Sequence, residues 1–223
     1  MTRYFTADYV ERAVLRDGSV VRLRLVAPDD RELLRRSFDQ WSPESRYARF
    51  LVPKDSLSDD ELTYLCDLDH ETHFALGAVL EAGDGAGEPI GAGIARFIRL
   101  PFQLGEPSTA EAAIGVTDAL HGKGLGKLLL LRLCAAAAER DIEQFRCEVL
   151  ADNTAMRALI ATIAPQHTVV NANGVATIDF AIGAIAPDAS PESTHTGPLY
   201  AMLRAAAENV VDWTDAVRRL WRR

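Results

Sequence analysis

The feature of this chain that most constrains its fold is an apolar strand that leads directly into a glycine-rich loop and then a long apolar helix. The strand is predicted over 108–117, the loop is HGKGLGK (121–127), and the helix is predicted from about 124 to 139. Backbone N–H groups at a helix start have no partner within the helix and point outward, which makes a site for phosphate oxygens. Glycine lets a ligand approach the backbone closely. The segment therefore predicts a phosphate-binding loop, with Lys123 and Lys127 adding positive charge.

Two common phosphate-binding motifs do not fit this loop. A P-loop requires G-x-x-x-x-G-K-[S/T]. With Gly126 as its second glycine, the first glycine position holds His121 and the Ser/Thr position holds Leu128. A dinucleotide fingerprint requires G-x-G-x-x-G, and starting it at Gly122 or Gly124 leaves the last position without a glycine. A glycine-rich turn that binds nothing is the simpler alternative.

Length and composition are those of a globular chain. The 223 residues suit one domain, or one domain with appendages, and 48% of them are hydrophobic against 25% charged. The net charge of −8 argues against nucleic acid as the main partner, because binding to phosphates along a strand needs clustered Lys and Arg. The same acidity is compatible with a cationic substrate.

Cysteine usage and hydropathy predict a cytoplasmic protein without a membrane partner. The three cysteines, Cys66, Cys134 and Cys147, form a sparse, odd set that is typical of a reducing compartment, and Cys134 is predicted to lie in the core. The N-terminal residues carry scattered charges and lack the apolar block of a signal peptide. The most apolar stretch, LLLLRLCAAAA, contains Arg132 and is interpreted as a buried helix.

Hydrophobic periodicity predicts a mixed sheet. The alternating VVRLRLV of residues 20–26 indicates a strand with one wet face, after a turn at 16–18. Further strands are predicted over 74–80, 90–100, 108–117 and 145–150, and as a pair within 166–182 around the turn dipeptide Asn173-Gly174. A block of antiparallel-looking strands followed by strand–helix–strand–helix predicts an α+β fold rather than a doubly wound one.

Capping signals mark the helices between these strands. Pro28 followed by two aspartates predicts a helix start. The apolar face of that helix is predicted to carry Leu33, Leu34, Phe38 and Trp41. Ser58 with Glu61 three residues later is the pattern of a capping box, which predicts a second helix within 56–68. A short helix is also predicted in TAMRALIATI (154–163).

The C-terminal part of the chain is predicted to lie outside the main domain. We expect a domain over residues 1–184, a linker or surface loop rich in Pro, Ser and Thr over 185–198, and an amphipathic helix over 199–223. An apolar seam of heptad spacing runs along that helix. Such a seam packs on its own domain or pairs in a homodimer, and both alternatives stay open.

The glycine loop resembles the pyrophosphate loop of GNAT acetyltransferases, written roughly [Q/R]-x-x-G-x-[G/A] between a strand and a helix. Here it is HGKGLG (121–126), with His in place of Gln or Arg, and Asn153 takes the place of an Asn near the start of the next helix. SPESRYARF (42–50) and LSDDELTYLCDLDHETHFALGAV (57–79) are similar to the corresponding parts of bacterial Pat-type protein-lysine acetyltransferases. The resemblance covers residues 15–182. Pat-type domains are fused to a cyclic-nucleotide-binding or acyl-CoA-synthetase-like module, which we do not expect within this chain.

This resemblance implies a GNAT-like, mixed and mostly antiparallel sheet, with acetyl-CoA as acyl donor. The acceptor it implies is an amine, either a protein lysine or a small molecule. In GNAT folds the strand before the loop splays from its neighbour and offers backbone N–H groups to pantetheine, and one near Val116 is expected to polarise the thioester carbonyl. The implied contacts to acetyl-CoA come from Ile114, Gly115, Val116, His121, Gly122, Lys123, Gly124, Leu125, Gly126, Lys127 and Asn153.

The resemblance also implies a general base at Glu111, which stands on an otherwise apolar strand and matches the glutamate of Pat-type enzymes there. We expect partial burial to raise its pKa toward a useful range, and Glu106 is the second candidate. A solvent-exposed glutamate without a role is the alternative at position 111.

One feature of many GNAT enzymes is missing. The helix after Asn153 has no Tyr to protonate the leaving thiolate, and Tyr200 has no motif to support it in that role. The alternative to an N-acetyltransferase is therefore a non-catalytic acyl-CoA-binding or interaction module. His70 and His73 form an H-x-x-H pair, but no third ligand stands at a convincing spacing, so no metal is expected.

Overall fold

The computed structural model describes residues 3–81 and 88–184. Within them, the strands are β1 Val10–Val14, β2 Val20–Leu25, β3 His73–Leu80, β4 Ile90–Arg99, β5 Thr109–Val116, β6 Gln144–Leu150, β7 His167–Ala172 and β8 Val175–Ala181. The helices are α1 Arg31–Asp39, α2 Pro43–Phe50, α3 Asp59–Cys66, α4 Leu125–Ala138 and α5 Thr154–Ile163. The predicted linker (185–198) and C-terminal helix (199–223), with its dimer seam, lie outside the described residues.

The chain divides into two compact units. We call residues 7–98 and 112–133 the glycine-loop unit, and residues 3–6, 99–111 and 134–184 the hairpin unit. Strand β5 and helix α4 contribute residues to both units.

Antiparallel strands in sequential order make up the sheet of the glycine-loop unit. Strands β1 and β2, β2 and β3, and β3 and β4 pair antiparallel. Strand β5 follows β4. Thr117 N–H donates to the Ala92 carbonyl at 3.0 Å, and Gly93 approaches Gly115 closely. Alternation in VVRLRL explains β2, because Val21, Leu23 and Leu25 are buried, while Arg22 is exposed and Arg24 pairs with Asp30.

In the hairpin unit one parallel pair precedes an antiparallel group. Strand β5 pairs with β6 through Thr109↔Gln144, Ala110↔Phe145 and Glu111↔Arg146. Strand β8 pairs antiparallel with both β6 and β7. The turn between β7 and β8 holds Asn173 and Gly174, both at positive φ, as a two-residue hairpin turn requires. The predicted α+β class, with mixed and mostly antiparallel strands, is confirmed.

The sequence signals for two helices are confirmed in detail. The Ser58 hydroxyl accepts a hydrogen bond from Glu61 N–H at 3.2 Å, and the Glu61 carboxylate accepts one from Ser58 N–H at 2.9 Å, which completes the capping box of α3. A single 3₁₀ turn at Pro28–Asp30 leads into α1. Helix α1 ends at Asp39, so Trp41 lies just beyond it and not on it.

Strand β1 and helix α2 were not predicted. Helix α2 has a start signal in Ser42, whose hydroxyl accepts from Ser45 N–H at 3.2 Å, followed by Pro43 and Glu44. Strand β1 is VERAV, in which Val10 and Val14 are exposed, so its apolar residues do not mark a buried face. Only the pairing with β2 makes this segment a strand.

Apolar side chains fill both units. In the glycine-loop unit, Phe74 stacks on Phe97 at a centroid distance of 5.2 Å. In the hairpin unit, Phe145 meets Phe180 edge-on at 6.0 Å. Residues 129–137 of α4 are all buried, including Arg132 at 2% exposure, which confirms a buried helix there. No helix in the described residues is long and apolar enough to span a membrane.

Candidate functional site

The glycine loop joins the end of β5 to the start of α4 through a single 3₁₀ turn at Asp118–Leu120. His121 N–H donates to Asp118 O at 3.1 Å, and Leu128 N–H donates to Gly124 O at 3.1 Å. Between these bonds the chain turns at Gly122 and Gly124, whose φ angles are +74° and +95°. Side chains with a Cβ rarely adopt these angles, so the turn requires glycine at both positions.

Four backbone N–H groups of this loop have no acceptor in the described part of the chain: those of Gly122, Gly124, Leu125 and Gly126. Three of them stand at or next to the first turn of α4, where helix geometry leaves N–H groups without internal partners. A Cβ at Gly122 would meet nothing within 4 Å. The loop therefore presents unpaired donors at the positive end of a 14-residue helix, which is an environment suited to phosphate oxygens.

The loop is tied back to the strand before it by His121. Its ring nitrogen Nε2 lies 3.0 Å from the carbonyl oxygen of Val116. A carbonyl oxygen only accepts, so Nε2 carries the proton in this contact. The bond closes the segment from Val116 to His121 into a compact turn. His121 therefore supports the loop conformation in the position where the family pattern has Gln or Arg.

The turn between β1 and β2 contacts the loop. Arg16 N–H donates to the Lys123 carbonyl at 3.2 Å, and the Lys123 ammonium lies 2.7 Å from Asp17 Oδ2. The hydrogen bond from Lys123, with others from Ser19, lowers the pKa of Asp17 to about 2. Lys123 thus faces a full negative charge at neutral pH.

Asp118 links the loop to the start of α2. Its carboxylate accepts hydrogen bonds from Ser42 N–H and Ser42 Oγ, both at 2.9 Å, and from Ser45 Oγ at 2.7 Å. Burial alone would raise the pKa of Asp118, but the bonds from Ser45 and Ser42 outweigh it and the pKa lies below its ordinary value. This carboxylate therefore binds protein groups and serves the architecture of the site.

Trp41 packs on strand β5 where the resemblance places the pantetheine contacts. A Cβ at Gly115 would lie 2.0 Å from Cη2 of Trp41, so only glycine leaves room for this indole. The indole nitrogen is buried and has no acceptor among the described residues. Arg46 holds the backbone here by donating to the Trp41 carbonyl at 3.1 Å.

An apolar cavity of about 70 Å³ lies between α1–α3 and strands β2–β4 of the glycine-loop unit. Phe38, Trp41, Phe50 and Gly93 are among the residues that line it. Trp41 thus contacts both the cavity and Gly115 of β5. All four residues of the predicted apolar face of α1 line the cavity. This face therefore contains a small gap instead of a closed core.

The glycine-loop unit contains ten of the residues predicted to bind the acyl donor: 114–116 and 121–127. Glu111 and Asn153 belong to the hairpin unit. The Asn153 side chain caps α5, because its Oδ1 accepts from Met156 N–H at 3.0 Å. The parallel ladder between β5 and β6 stops at Glu111↔Arg146, although β5 continues to Val116.

Glu111 is exposed, so the expectation that it is partly buried is wrong. Its neighbours Ala110 and Ala112 point inward, and strand alternation turns position 111 outward. The Glu111 carboxylate accepts no hydrogen bond from the described residues. Glu106, the second candidate, is also exposed.

The other candidate residues, His73 and the three cysteines, contact neighbouring protein groups or lie buried. His73 contacts Arg96 through its ring nitrogen at 2.5 Å, and burial together with that guanidinium lowers the pKa of His73 to about 4. No group of three or more potential ligands that could hold a metal exists in the described residues. Cys134 is fully buried, as predicted, and burial raises the pKa of all three thiols above the ordinary value.

Sequence reasoning missed the residues that shape the site from outside the loop. Arg16, Asp17 and Asp118 are charged residues in turns, and nothing in their own positions indicates a contact with the loop. Trp41 was assigned only to a helix face. The SPES sequence at residues 42–45 does carry a helix-start signal, which could have placed α2.

Comparison with known proteins agrees with this geometry. Residues 31–162, more than half of the chain, match the Acetyltransferase (GNAT) family. Acetyltransferase Pat of Mycolicibacterium smegmatis is 33% identical over 149 residues, which cover 66% of this chain and 41% of that protein. An acetyltransferase of Pseudomonas aeruginosa is 30% identical over 149 residues, which cover 67% of this chain and 76% of that protein.

The fold is similar to a solved member of the same group. The crystal structure of the GNAT domain of S. lividans PAT matches with a TM-score of 0.68 and 29% identity, covering 79% of this chain and 99% of that one. The present chain spans less than half the length of M. smegmatis Pat. The match includes strand β5, the glycine loop and helix α4, and the chain belongs to the GNAT family of acetyltransferases.

Proposed function

We propose that this protein is an N-acetyltransferase that transfers the acetyl group of acetyl-CoA to an amine, with a lysine side chain of a protein as the acceptor. The observation that carries the proposal is the set of unpartnered N–H groups of Gly122, Gly124, Leu125 and Gly126 at the start of α4. In a family of acetyltransferases, such a group of donors is suited to the pyrophosphate of coenzyme A.

The residues present fit that ligand. Because Gly122 and Gly124 have positive φ, the backbone turns so that the N–H groups of the loop point outward. The space beside Gly122 is open, so a phosphate can approach without meeting a side chain. The residues that would hold acetyl-CoA are 114–116 on β5, the loop 121–127 and Asn153. Asn153 Oδ1 already caps α5, so its amide NH₂ is the group available for a ligand.

Acetyl-CoA would supply a thioester whose C–S bond breaks as a C–N bond to the amine forms. The amine must first lose a proton, because a lysine ammonium has a pKa of about 10.4. Glu111 is our candidate for accepting that proton. Its carboxylate is exposed and accepts no hydrogen bond from the described residues, so it can bind an amine directly or through water.

The choice of a protein lysine as acceptor is supported by the resemblance to Pat-type protein-lysine acetyltransferases and by charge. The relative from M. smegmatis is called Pat, and Pat-type domains resemble this chain in residues 42–50 and 57–79. The net charge of −8 favours cationic acceptors over anionic ones. A small amine is the other acceptor class. The domain limits of 1–184 and the cytoplasmic location remain part of this proposal.

The first test is calorimetric titration of acetyl-CoA into the full chain and into Gly124→Glu. Gly105→Glu is the matched control, since Gly105 also has positive φ and open space but lies outside the loop. We expect micromolar binding that only Gly124→Glu abolishes, because a carboxylate there would fill and repel the phosphate site. Failure of the wild type to bind would mean that the glycine loop is structural.

The second test measures release of free CoA with lysine peptides and with small amines. Acceptor-dependent release supports the N-acetyltransferase. Binding without release on any amine would instead favour a non-catalytic acyl-CoA-binding module, which the lack of a Tyr on α5 keeps as the alternative.

A further inference from the structure

The lysine of the glycine loop is already paired within the protein. The Lys123 ammonium lies 2.7 Å from Asp17 Oδ2. Because the pKa of Asp17 is lowered to about 2, chiefly by the hydrogen bond from Lys123, its carboxylate is ionised at any physiological pH. The pair is close to neutral as a unit. Lys123 therefore adds less positive charge to the loop than the sequence suggests.

A second cation, Arg16, lies beside the loop and can supply the positive charge that the paired Lys123 does not. Arg16 precedes Asp17 in the turn between β1 and β2, and its N–H donates to the Lys123 carbonyl at 3.2 Å. Its side chain passes next to Gly124, since a Cβ at Gly124 would lie 3.8 Å from Nε of Arg16. The guanidinium is exposed and has no hydrogen-bond or ion-pair partner among the described residues.

Hydrogen bonds close the turn that carries Arg16. Leu15 N–H donates to Ser19 O at 2.8 Å, and Gly18 has a φ of +85°. The Asp17 carboxylate also accepts from Ser19 N–H at 3.0 Å. Strand β1 before it is fixed to α4, because the buried Arg132 donates two hydrogen bonds of 2.6 Å to Glu11. The backbone of Arg16 is therefore held beside the glycine loop before any ligand arrives.

We propose that Arg16 is a phosphate-binding residue of the acyl-donor site, contributed by the β1–β2 turn to the glycine loop. Its guanidinium donates to the pyrophosphate oxygens that the loop N–H groups bind, which are close because Gly124 leaves no side chain between them. An arginine suits this role because it stays charged and presents several donors in one plane. The proposal rests on the proposed function, since it assumes that acetyl-CoA binds at the loop.

The test compares Arg16→Ala with Arg22→Ala by calorimetry. Arg22 is an exposed arginine of the same hairpin, so both variants lose the same charge. We expect Arg16→Ala to weaken acetyl-CoA binding by about tenfold to a hundredfold, as for a lost charged hydrogen bond, and Arg22→Ala to change it by less than about twofold. Equal affinities in the two variants would overturn the proposal.

Two shortened ligands and one further variant sharpen the result. Dephospho-acetyl-CoA lacks the 3′-phosphate but keeps the pyrophosphate, so the loss in Arg16→Ala should persist with it. S-acetylpantetheine lacks both the 3′-phosphate and the pyrophosphate, so it should bind more weakly. Its affinity should be the same for the wild type and for Arg16→Ala. A loss that vanishes with the dephospho ligand, or that persists with S-acetylpantetheine, would contradict the assignment to the pyrophosphate. Arg16→Lys should recover part of the affinity.

The two proposals fail in distinguishable ways. Absence of acetyl-CoA binding in the wild type overturns the proposed function and this inference together. Wild-type binding with an unaffected Arg16→Ala variant overturns only the inference. Thermal unfolding of each variant, which we expect to match the wild type at this exposed position, shows that the affinity change is not a folding defect.

Discussion

The glycine loop presents groups of its backbone, whereas the helical segment of residues 31–66 shapes the same unit through side chains. In the loop, positive φ at Gly122 and Gly124 leaves N–H groups outward and unpaired. In the helical segment, Trp41 packs on Gly115 and Ser42 N–H donates to Asp118, so distant parts of the chain position these residues. The proposed role of the loop thus depends on a short stretch of sequence, while the helical segment acquires its role only by packing.

This contrast has a consequence for substitutions. A change in the loop alters a local conformation and should mainly affect donor binding. A change in the helical segment alters packing and should mainly affect the free energy of unfolding or the binding of the acceptor amine. Four substitutions test how far this separation holds, in order of decreasing expected effect.

The largest effect is expected from Glu111→Gln, which removes the candidate base from β5 without touching the loop. We expect kcat to fall by about 10²–10⁴-fold, because the amide cannot accept the amine proton. Acetyl-CoA affinity should stay within about twofold of the wild type. Steady-state CoA release and calorimetry measure the two quantities separately.

Glu106→Gln makes the same change at the second candidate base, an exposed loop residue, and so distinguishes the two glutamates. We expect it to keep full activity. Full activity in Glu111→Gln would instead show that position 111 is a solvent-exposed glutamate without a catalytic role.

The next effect is expected where the helical segment packs on β5, the strand that leads into the loop. Gly115→Ala places a Cβ 2.0 Å from the Trp41 ring, so we expect destabilisation by about 1–3 kcal/mol. Gly77→Ala is the matched change in β3, where the nearest atom lies at 3.5 Å. It should cost less. Denaturant unfolding measures both.

A double-mutant cycle with Trp41→Leu sharpens this test. The smaller side chain makes room for the methyl group, so Gly115→Ala should cost less in that background, with a coupling energy of about 0.5–3 kcal/mol. Strict additivity would show that Trp41 and Gly115 do not interact in solution, and the two regions would then be independent.

A smaller effect is expected within the loop itself. Gly122→Ala forces a residue with a Cβ into φ +74° although no atom lies within 4 Å, so the cost is purely conformational, about 1–2 kcal/mol. Gly122→Asn should cost less, because Asn adopts positive φ more readily. Equal unfolding free energies for Ala, Asn and Gly would show that the loop adopts another conformation in solution.

The smallest effect is expected from Asp118, which ties the loop to α2. Its pKa is lower in the folded protein than in the unfolded chain, so its contribution to stability is present above pH 4 and is lost as pH falls through the folded value. Asp118 is partly exposed, so we expect less than about 1 kcal/mol. Unfolding from pH 7 to pH 3 should show a shallower loss in Asp118→Asn; an identical profile would argue against the three hydrogen bonds.

The predictable parts of this molecule are those in which neighbouring residues carry the signal. The capping box at Ser58 and Glu61, the turn at Asn173-Gly174 and the strand at 20–26 all depend on residues a few positions apart. Strand β1 could not be predicted from VERAV, because only its pairing with β2 makes it a strand. The exposure of Glu111 is set by the alternation of β5, and partial burial was the wrong expectation for that position.

The sequence by itself determined the strand–loop–helix segment, because glycine spacing, positive φ and the free N–H groups of a helix start are local properties of the backbone. It also determined the α+β class and the family. The tertiary structure alone decided that Lys123 is paired with Asp17, that Arg16 stands beside Gly124, and that Trp41 packs on Gly115. Ion pairs and packing join residues far apart in the chain, and their distances are set only when the whole fold is formed.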